Sequence, residues 1–312
     1  MQTPKLSAAL AAALIACGLA SPANPATPAA TAQSSGSSAF ALSSKLSSAA
    51  THVGATTRTP LAMDVPGQGA RSFILHVPES YDPSYPYPVV FAFGGMDHTD
   101  ARAESYIRME RATGDDAIVV YPNPRDTGSH LGWEGPLYGP ARGDDVAFVK
   151  HILAYLKSAY NIDDYRIYAA GLSNGGGVAL SLACQAPDTF AAVVGVSTAS
   201  YTPLFDGCSG QVPTLMIHGT DDGIAPYDRD GANAHGGSYY SARYAWRLIG
   251  QRNGCQVDSL ATSELGNVTR FSMNGCLAET ALFRVNGGGH TWFPNSPAAT
   301  AEAWSFMQRH EL

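Results

Sequence analysis

The amino-acid sequence predicts an α/β fold, a mostly parallel sheet flanked by helices. Extended apolar runs recur along the chain, helical patterns separate them, and the residues best suited to chemistry stand just past the carboxyl ends of those runs.

At the amino end, Met1 to Lys5 is a short basic start, and Leu6 to Ala20 is an apolar run that ends in small residues and is too short to span a bilayer comfortably. Residues 1–20 therefore read as a signal peptide cleaved near Ala20 or Ala23, which implies a secreted protein. The alternative takes Leu14-Ile15-Ala16-Cys17 as a lipoprotein box, with Cys17 lipidated and holding the chain at a membrane. Residues 21–55 are rich in Ala, Ser, Thr and Pro with almost no large apolar side chain, so they read as a disordered leader or linker. Residues 56–312 are of a size expected for one α/β domain with ample core.

Within that domain, strands are expected at Ser72–Val77, Val89–Phe93, Ala117–Tyr121, Arg166–Leu172, Ala192–Val196, Val212–Ile217 and Ala281–Val285. A helix is expected after Asp144, where Val146, Val149, Ile152, Leu153 and Leu156 keep helical spacing. Another opens at Pro297 and carries Ala299, Ala303, Phe306 and Met307 on one face. Asp144 and Asp145 read as capping and loop-tying carboxylates. The net charge of −7, with no basic cluster, argues against nucleic-acid or anionic-membrane binding.

The richest motif is Gly171-Leu172-Ser173-Asn174-Gly175, entered from a β-rich run and followed by the small-residue run Gly176 to Ser181. This is the context of a nucleophile elbow, in which glycines two residues either side let a serine hydroxyl stand exposed on a strained turn. Later, Val212–Ile217 leads into His218-Gly219-Thr220-Asp221-Asp222, which puts a carboxylate on a loop leaving a strand. Ala281–Val285 leads into Asn286-Gly287-Gly288-Gly289-His290-Thr291-Trp292, which puts a histidine beyond the next one. His290 is favoured over His52 near the leader, His151 inside a helix, and His218 at a strand end, where a structural role is expected. A serine hydroxyl needs an imidazole to take its proton during attack, and the imidazole needs a carboxylate to fix its tautomer. Ser173, His290 and Asp222 supply those types, with Asp221 adjacent as the other candidate acid. Negative charge developing on a carbonyl oxygen needs backbone N–H donors, for which Asn174 and Met96, the latter in the loop after Val89–Phe93, are the candidates.

These segments, together with Arg71 to Pro78, Tyr87 to Phe93 and Gly143 to Val149, resemble the secreted α/β-hydrolase esterases that include feruloyl esterases, acetylxylan esterases and poly(3-hydroxybutyrate) depolymerase-like proteins. The resemblance runs from about Arg71 to Phe306 and departs at Gly94, where the family usually has a histidine. It implies an acyl-enzyme mechanism without cofactor or metal, and it favours Asp222 over Asp221 by family spacing. It also implies an ester-bearing polysaccharide, oligosaccharide or polyester as substrate. Feruloyl esterase is the favoured activity, with acetylxylan esterase and poly(3-hydroxybutyrate) depolymerase as alternatives, and a non-catalytic carbohydrate-binding protein retaining the fold as a different class.

Trp133, Tyr138 and Trp292 lie on segments that could border the site and are the candidates for an aromatic acyl wall. Cys184, Cys208, Cys255 and Cys276 survive signal removal, and an even count in a secreted chain favours two disulfides among three possible connectivities. The resemblance implies Cys184 with Cys208 and Cys255 with Cys276. Asn267-Val268-Thr269 is a glycosylation sequon.

Overall fold

The computed structural model describes residues 55–312 except 127, 129, 134–143 and 233–237. The expected signal peptide, the lipidation alternative at Cys17, the leader through residue 54 and the candidate Tyr138 lie outside the described residues.

In chain order the elements are β1 (Thr56–Val65), β2 (Gly69–Pro78), β3 (Tyr87–Phe93), α1 (Asp100–Ile107), α2 (Met109–Thr113), β4 (Ile118–Pro122), β5 (Arg125–Asp126), β6 (Leu131–Gly132), α3 (Asp145–Ala159), β7 (Ile162–Leu172) and α4 (Asn174–Gln185). They continue as β8 (Ala192–Val196), β9 (Thr214–Gly219), β10 (Gly231–Ala232), β11 (Ser238–Tyr239), α5 (Ala242–Arg252), β12 (Gln256–Leu265), β13 (Val268–Asn274), β14 (Thr280–Val285) and α6 (Ala299–Met307).

The main sheet has ten strands in the order β1-β2-β4-β3-β7-β8-β9-β14-β13-β12. From β4 to β14 the neighbours run parallel, and the pairs at both edges are antiparallel. Parallel strands covered on both faces carry unbroken apolar runs, and β3, β4, β8 and β9 are buried along their whole length. On one face Val89, Phe91 and Phe93 pack in a core with Phe148, Val149 and Ile152 of α3 and with residues of α4 and α5. On the other, Val90 and Ala92 share a core with Ala103 and Ile107 of α1, Met109 of α2 and Ala303 of α6. Each fully covered Phe or Leu contributes about 1.5–3 kcal/mol relative to an exposed one.

The two adjacent aspartates at the start of α3 divide their work. Asp144 caps the helix by accepting from the Ala147 N–H at 2.8 Å. Asp145 turns inward and pairs at 3.3 Å with Arg71, whose guanidinium lies 4.0 Å from the centre of the Phe148 ring.

The sheet is wider than the apolar runs indicate, because β1 and the β12–β13 hairpin join its edges. Most of β1 and nearly all of β12 is exposed or half-exposed, so neither shows the apolar run that marks the central strands. Two disulfides tie the periphery, Cys184 to Cys208 and Cys255 to Cys276, and this is the pairing the resemblance implies. Asn267 is exposed at the β12–β13 turn, where its side-chain oxygen accepts from Ser296 Oγ at 2.9 Å. Among the described residues no helix is long and apolar enough to cross a membrane.

Candidate active site

Ser173 is the single residue between β7 and α4, with φ 55° and ψ −117°. A non-glycine residue in that region carries about 1–3 kcal/mol of strain, which the surroundings must hold in place. Its N–H donates to Val196 O at 2.9 Å, and its carbonyl accepts from Gly177 and Ala199, both at 3.1 Å. The flanking glycines are required by close approach. A Cβ on Gly171 would lie 2.1 Å from Gly175 O, and one on Gly175 would lie 2.3 Å from Gly94 O and 2.5 Å from Phe93 O. The first turn of α4 therefore sits directly against the backbone at the end of β3.

The acid and the imidazole come from neighbouring parallel strands, β9 and β14, whose loops are laid backbone to backbone. Asp221 N–H donates to Gly288 O at 2.9 Å, and a Cβ on Gly219 would lie 2.1 Å from that same oxygen. Asp222 Oδ2 then accepts from His290 Nδ1 at 2.8 Å. Its Oδ1 accepts from the N–H groups of Ile224 at 2.9 Å and Ala225 at 2.8 Å. A second imidazole approaches Oδ2, with His218 Nε2 at 3.2 Å. The same nitrogen is 2.7 Å from the Ala225 carbonyl, which can only accept, so Nε2 is the protonated nitrogen of His218. Burial works to raise the Asp222 pKa, but the hydrogen bonds and charges of His218 and His290 outweigh it and hold the carboxyl well below the ordinary carboxylate range. By contrast, Asp221 is exposed and accepts from Thr220 Oγ1 at 3.0 Å.

The loop after β3 carries Met96 and runs beside Ser173. Asp97 fixes it in a reciprocal pair with β6, donating its N–H to Leu131 O at 2.8 Å and accepting from Leu131 N at 2.9 Å through Oδ1. Gly94, where the resemblance departs, has no room for a side chain: a Cβ there would lie 2.7 Å from His98 Cβ and 2.9 Å from Ala103 Cβ. The histidine four residues later occupies that space. Burial, reinforced by the nearby Arg102 charge, pushes the His98 pKa below the ordinary imidazole value.

The tryptophans are corrected by their burial. Trp133 and Trp292 are both 0 % exposed, so neither presents a wall to a ligand. Trp133 is a strut, its indole donating to Gly94 O at 2.8 Å and its backbone N–H donating to the buried side-chain oxygen of Asn174 at 2.8 Å. The indole N–H of Trp292 donates to Thr300 Oγ1 at 2.8 Å, and that hydroxyl donates to Ile107 O at 2.6 Å, which ties the histidine loop to α6 and α1.

Ser173 and His290 open into one cavity of about 490 Å³, lined also by Gly95, Met96, Tyr106 and Ile224. That volume lies within the range of small-molecule sites. The arrangement combines a hydroxyl, an imidazole oriented by an ionised carboxylate, and a backbone loop beside the hydroxyl, which is the equipment for acyl transfer. Sequence reasoning missed Tyr106 and Ile224. Ile224, a large apolar residue beside a glycine two positions past the acid, was the available signal.

Residues 68–246, more than half of the chain, match the family model Esterase, described as "Putative esterase". The chain is 31 % identical over 262 residues to "Probable feruloyl esterase C" of Aspergillus niger, a match covering 79 % of this chain and 87 % of that protein. It is 29 % identical to "Feruloyl esterase C" of Emericella nidulans, over 76 % of this chain and 83 % of that protein. Among solved structures, an acetyl xylan esterase from Aspergillus awamori superposes with a TM-score of 0.59 at 16 % identity, covering 80 % of this chain and 99 % of that one. A ferulic acid esterase from Anaeromyces mucronatus superposes with a TM-score of 0.53 at 15 % identity, covering 82 % and 90 %.

Proposed function

The chain belongs to this esterase family and has the α/β-hydrolase fold, and from that premise we propose that it is a secreted serine esterase that releases hydroxycinnamic acids, ferulic acid first among them, from plant cell-wall polysaccharides. The observation that carries the catalytic part is the union, in one cavity, of a serine at a strained strand-to-helix turn with an imidazole held at 2.8 Å by a buried carboxylate. The feruloyl part is supported by relatives named as feruloyl esterases over more than three quarters of this chain. Secretion is supported by the amino-terminal signal-like run and by two disulfides, which form and persist in oxidising compartments.

In the mechanism, Ser173 Oγ attacks the ester carbonyl while His290 Nε2 takes its proton. The tetrahedral oxyanion is received by the N–H groups of Asn174 and Met96, donors of a kind whose loss typically costs about 2.7–4 kcal/mol in the barrier. Asn174 is the first residue of α4, so the helix dipole adds positive potential at that point. When the tetrahedral adduct collapses, the C–O bond to the alcohol breaks and His290 returns the proton to the leaving oxygen. Water then attacks the acyl-serine with His290 as base, which frees the carboxylic acid and restores Ser173. Asp222 stays ionised throughout, holding Nδ1 protonated and Nε2 able to accept.

The test is the specificity constant on methyl ferulate, an acetylated xylan and hydroxybutyrate oligomers. The expected order puts methyl ferulate first. An acetyl preference moves the assignment to acetylxylan esterase, turnover of the oligomers alone moves it to the depolymerase, and no turnover with no fluorophosphonate labelling of Ser173 points to a non-catalytic binding protein.

A further inference from the structure

We propose that Tyr106 and Ile224 form the subsite for the aromatic ring of the acyl group, and that the Tyr106 hydroxyl also positions the loop carrying His290. The inference rests on the feruloyl reading above.

Tyr106 stands on α1 and Ile224 on the loop of Asp222, and both line the cavity that contains Ser173 and His290. They are 39 % and 52 % exposed, whereas the two tryptophans expected from the sequence are wholly buried. Apolar surface left open at a reaction cavity gains free energy when a flat apolar group covers it. The same cavity offers a sugar or an alcohol polar partners at Asp97, Arg102 and Ser105, whereas these two side chains offer few. The Tyr106 hydroxyl is engaged with Thr291 Oγ1 at 2.6 Å, which leaves the ring as its free surface, and Ile224 is a hydrocarbon. The ring is also held edge-on to His98, with centroids 5.7 Å apart and an interplanar angle of 83°, so this wall is in place before substrate arrives. A hydroxycinnamoyl ring fits that chemistry, and an acetyl group is too small to use it.

The same hydroxyl reaches the catalytic loop. Thr291 directly follows His290, and its carbonyl accepts from Ser197 Oγ at 2.9 Å. Its side chain is held by α1 through Tyr106 and its backbone by the end of β8 through Ser197. Tyr106 therefore acts on His290 through Thr291 as a positioning residue, while its ring touches the acyl group.

The two roles separate in steady-state kinetics on methyl ferulate and methyl acetate, which share an alcohol. Tyr106→Phe and Thr291→Val should each lower kcat on both esters by about two- to tenfold, the range for one lost hydrogen bond, with KM and the ferulate-to-acetate ratio little changed. The double variant should be no worse than either single one, because both remove the same bond. Tyr106→Ala and Ile224→Ala should lower the ratio of specificity constants by about tenfold. A wild-type enzyme that favours acetate overturns the feruloyl reading and the ring subsite with it. A ferulate-preferring wild type whose ratio survives both truncations overturns the subsite alone, as does an effect that follows the alcohol when methyl and arabinosyl ferulate are compared. Additive losses in Tyr106→Phe/Thr291→Val overturn the positioning role.

Discussion

Replacing Asp222 with asparagine should remove activity through the tautomer of His290. In the wild type, Asp222 Oδ1 is fixed by the N–H groups of Ile224 and Ala225, while Oδ2 faces His290 Nδ1 at 2.8 Å and His218 Nε2 at 3.2 Å. The asparagine amide has two settings. With its NH2 toward the backbone, the Ile224 and Ala225 N–H groups lose their acceptor, at about 1–3 kcal/mol for the buried Ala225 donor alone. With its oxygen toward the backbone, those bonds persist, and the His218 proton keeps the Ala225 carbonyl at 2.7 Å. The second setting wins. It puts an NH2 opposite His290 Nδ1, which must then be unprotonated, so Nε2 carries the proton and cannot take one from Ser173. The same exchange in a Ser-His-Asp triad lowers kcat about 10⁴-fold, equivalent to about 5.4 kcal/mol in the barrier. Asp221→Asn keeps an oxygen for Thr220 Oγ1 on an exposed side chain and should stay within about twofold. The assay is kcat/KM on a chromogenic ester for both variants, with thermal unfolding as control. Loss smaller than tenfold in Asp222→Asn, or a larger loss in Asp221→Asn, would refute the reasoning. Linkage gives a second readout. The folded pKa of Asp222 is depressed, so its stabilisation is present above the ordinary carboxylate pKa and is lost as pH falls through the folded value. The stability gap between wild type and Asp222→Asn should therefore be widest at neutral pH and narrow in acid.

His218→Leu removes the second donor to Asp222 from a side chain that is 0 % exposed and leaves the Ala225 carbonyl unpaired, so stability should fall by about 1–3 kcal/mol and kcat by about tenfold. An unchanged kcat in the folded variant would deny His218 any part in holding the acid. Removing Cys255–Cys276 by the double serine substitution opens a loop with a sequence separation of 21 and should cost about 3 kcal/mol in urea unfolding, with activity kept below the transition. A loss under about 1 kcal/mol would show that the bridge is not a significant constraint on the unfolded chain.

The central sheet and the positions of Ser173, Asp222 and His290 at strand ends were legible because one physical requirement marks each of them in sequence. Strands buried on both faces must be apolar throughout, as Pro88 to Phe93 and Ala192 to Val196 are. Backbone crossings at Gly171, Gly175 and Gly219 leave no space for a Cβ, so glycine brackets Ser173 and precedes Asp222. The features that stayed hidden depend on partners far away in the chain. Trp133 is buried by Gly94 and Asn174, and Trp292 by Thr300 and the end of α1, so loop position alone gave the wrong expectation for both. Tyr106 meets Thr291 across 185 residues, which no local pattern announces. The β12–β13 hairpin was missed because an exposed edge with Ser259, Thr262, Ser263 and Glu264 lacks the apolar signal of a core strand.

The most direct measurement is rapid acid quenching of the enzyme with methyl ferulate, followed by peptide mapping of the covalent adduct. The account predicts a feruloyl group on Ser173, formed in a burst before steady state and absent from Ser173→Ala, which should fold normally and lose activity by several orders of magnitude. A feruloyl group on any other residue, or near-normal turnover by Ser173→Ala, would contradict it.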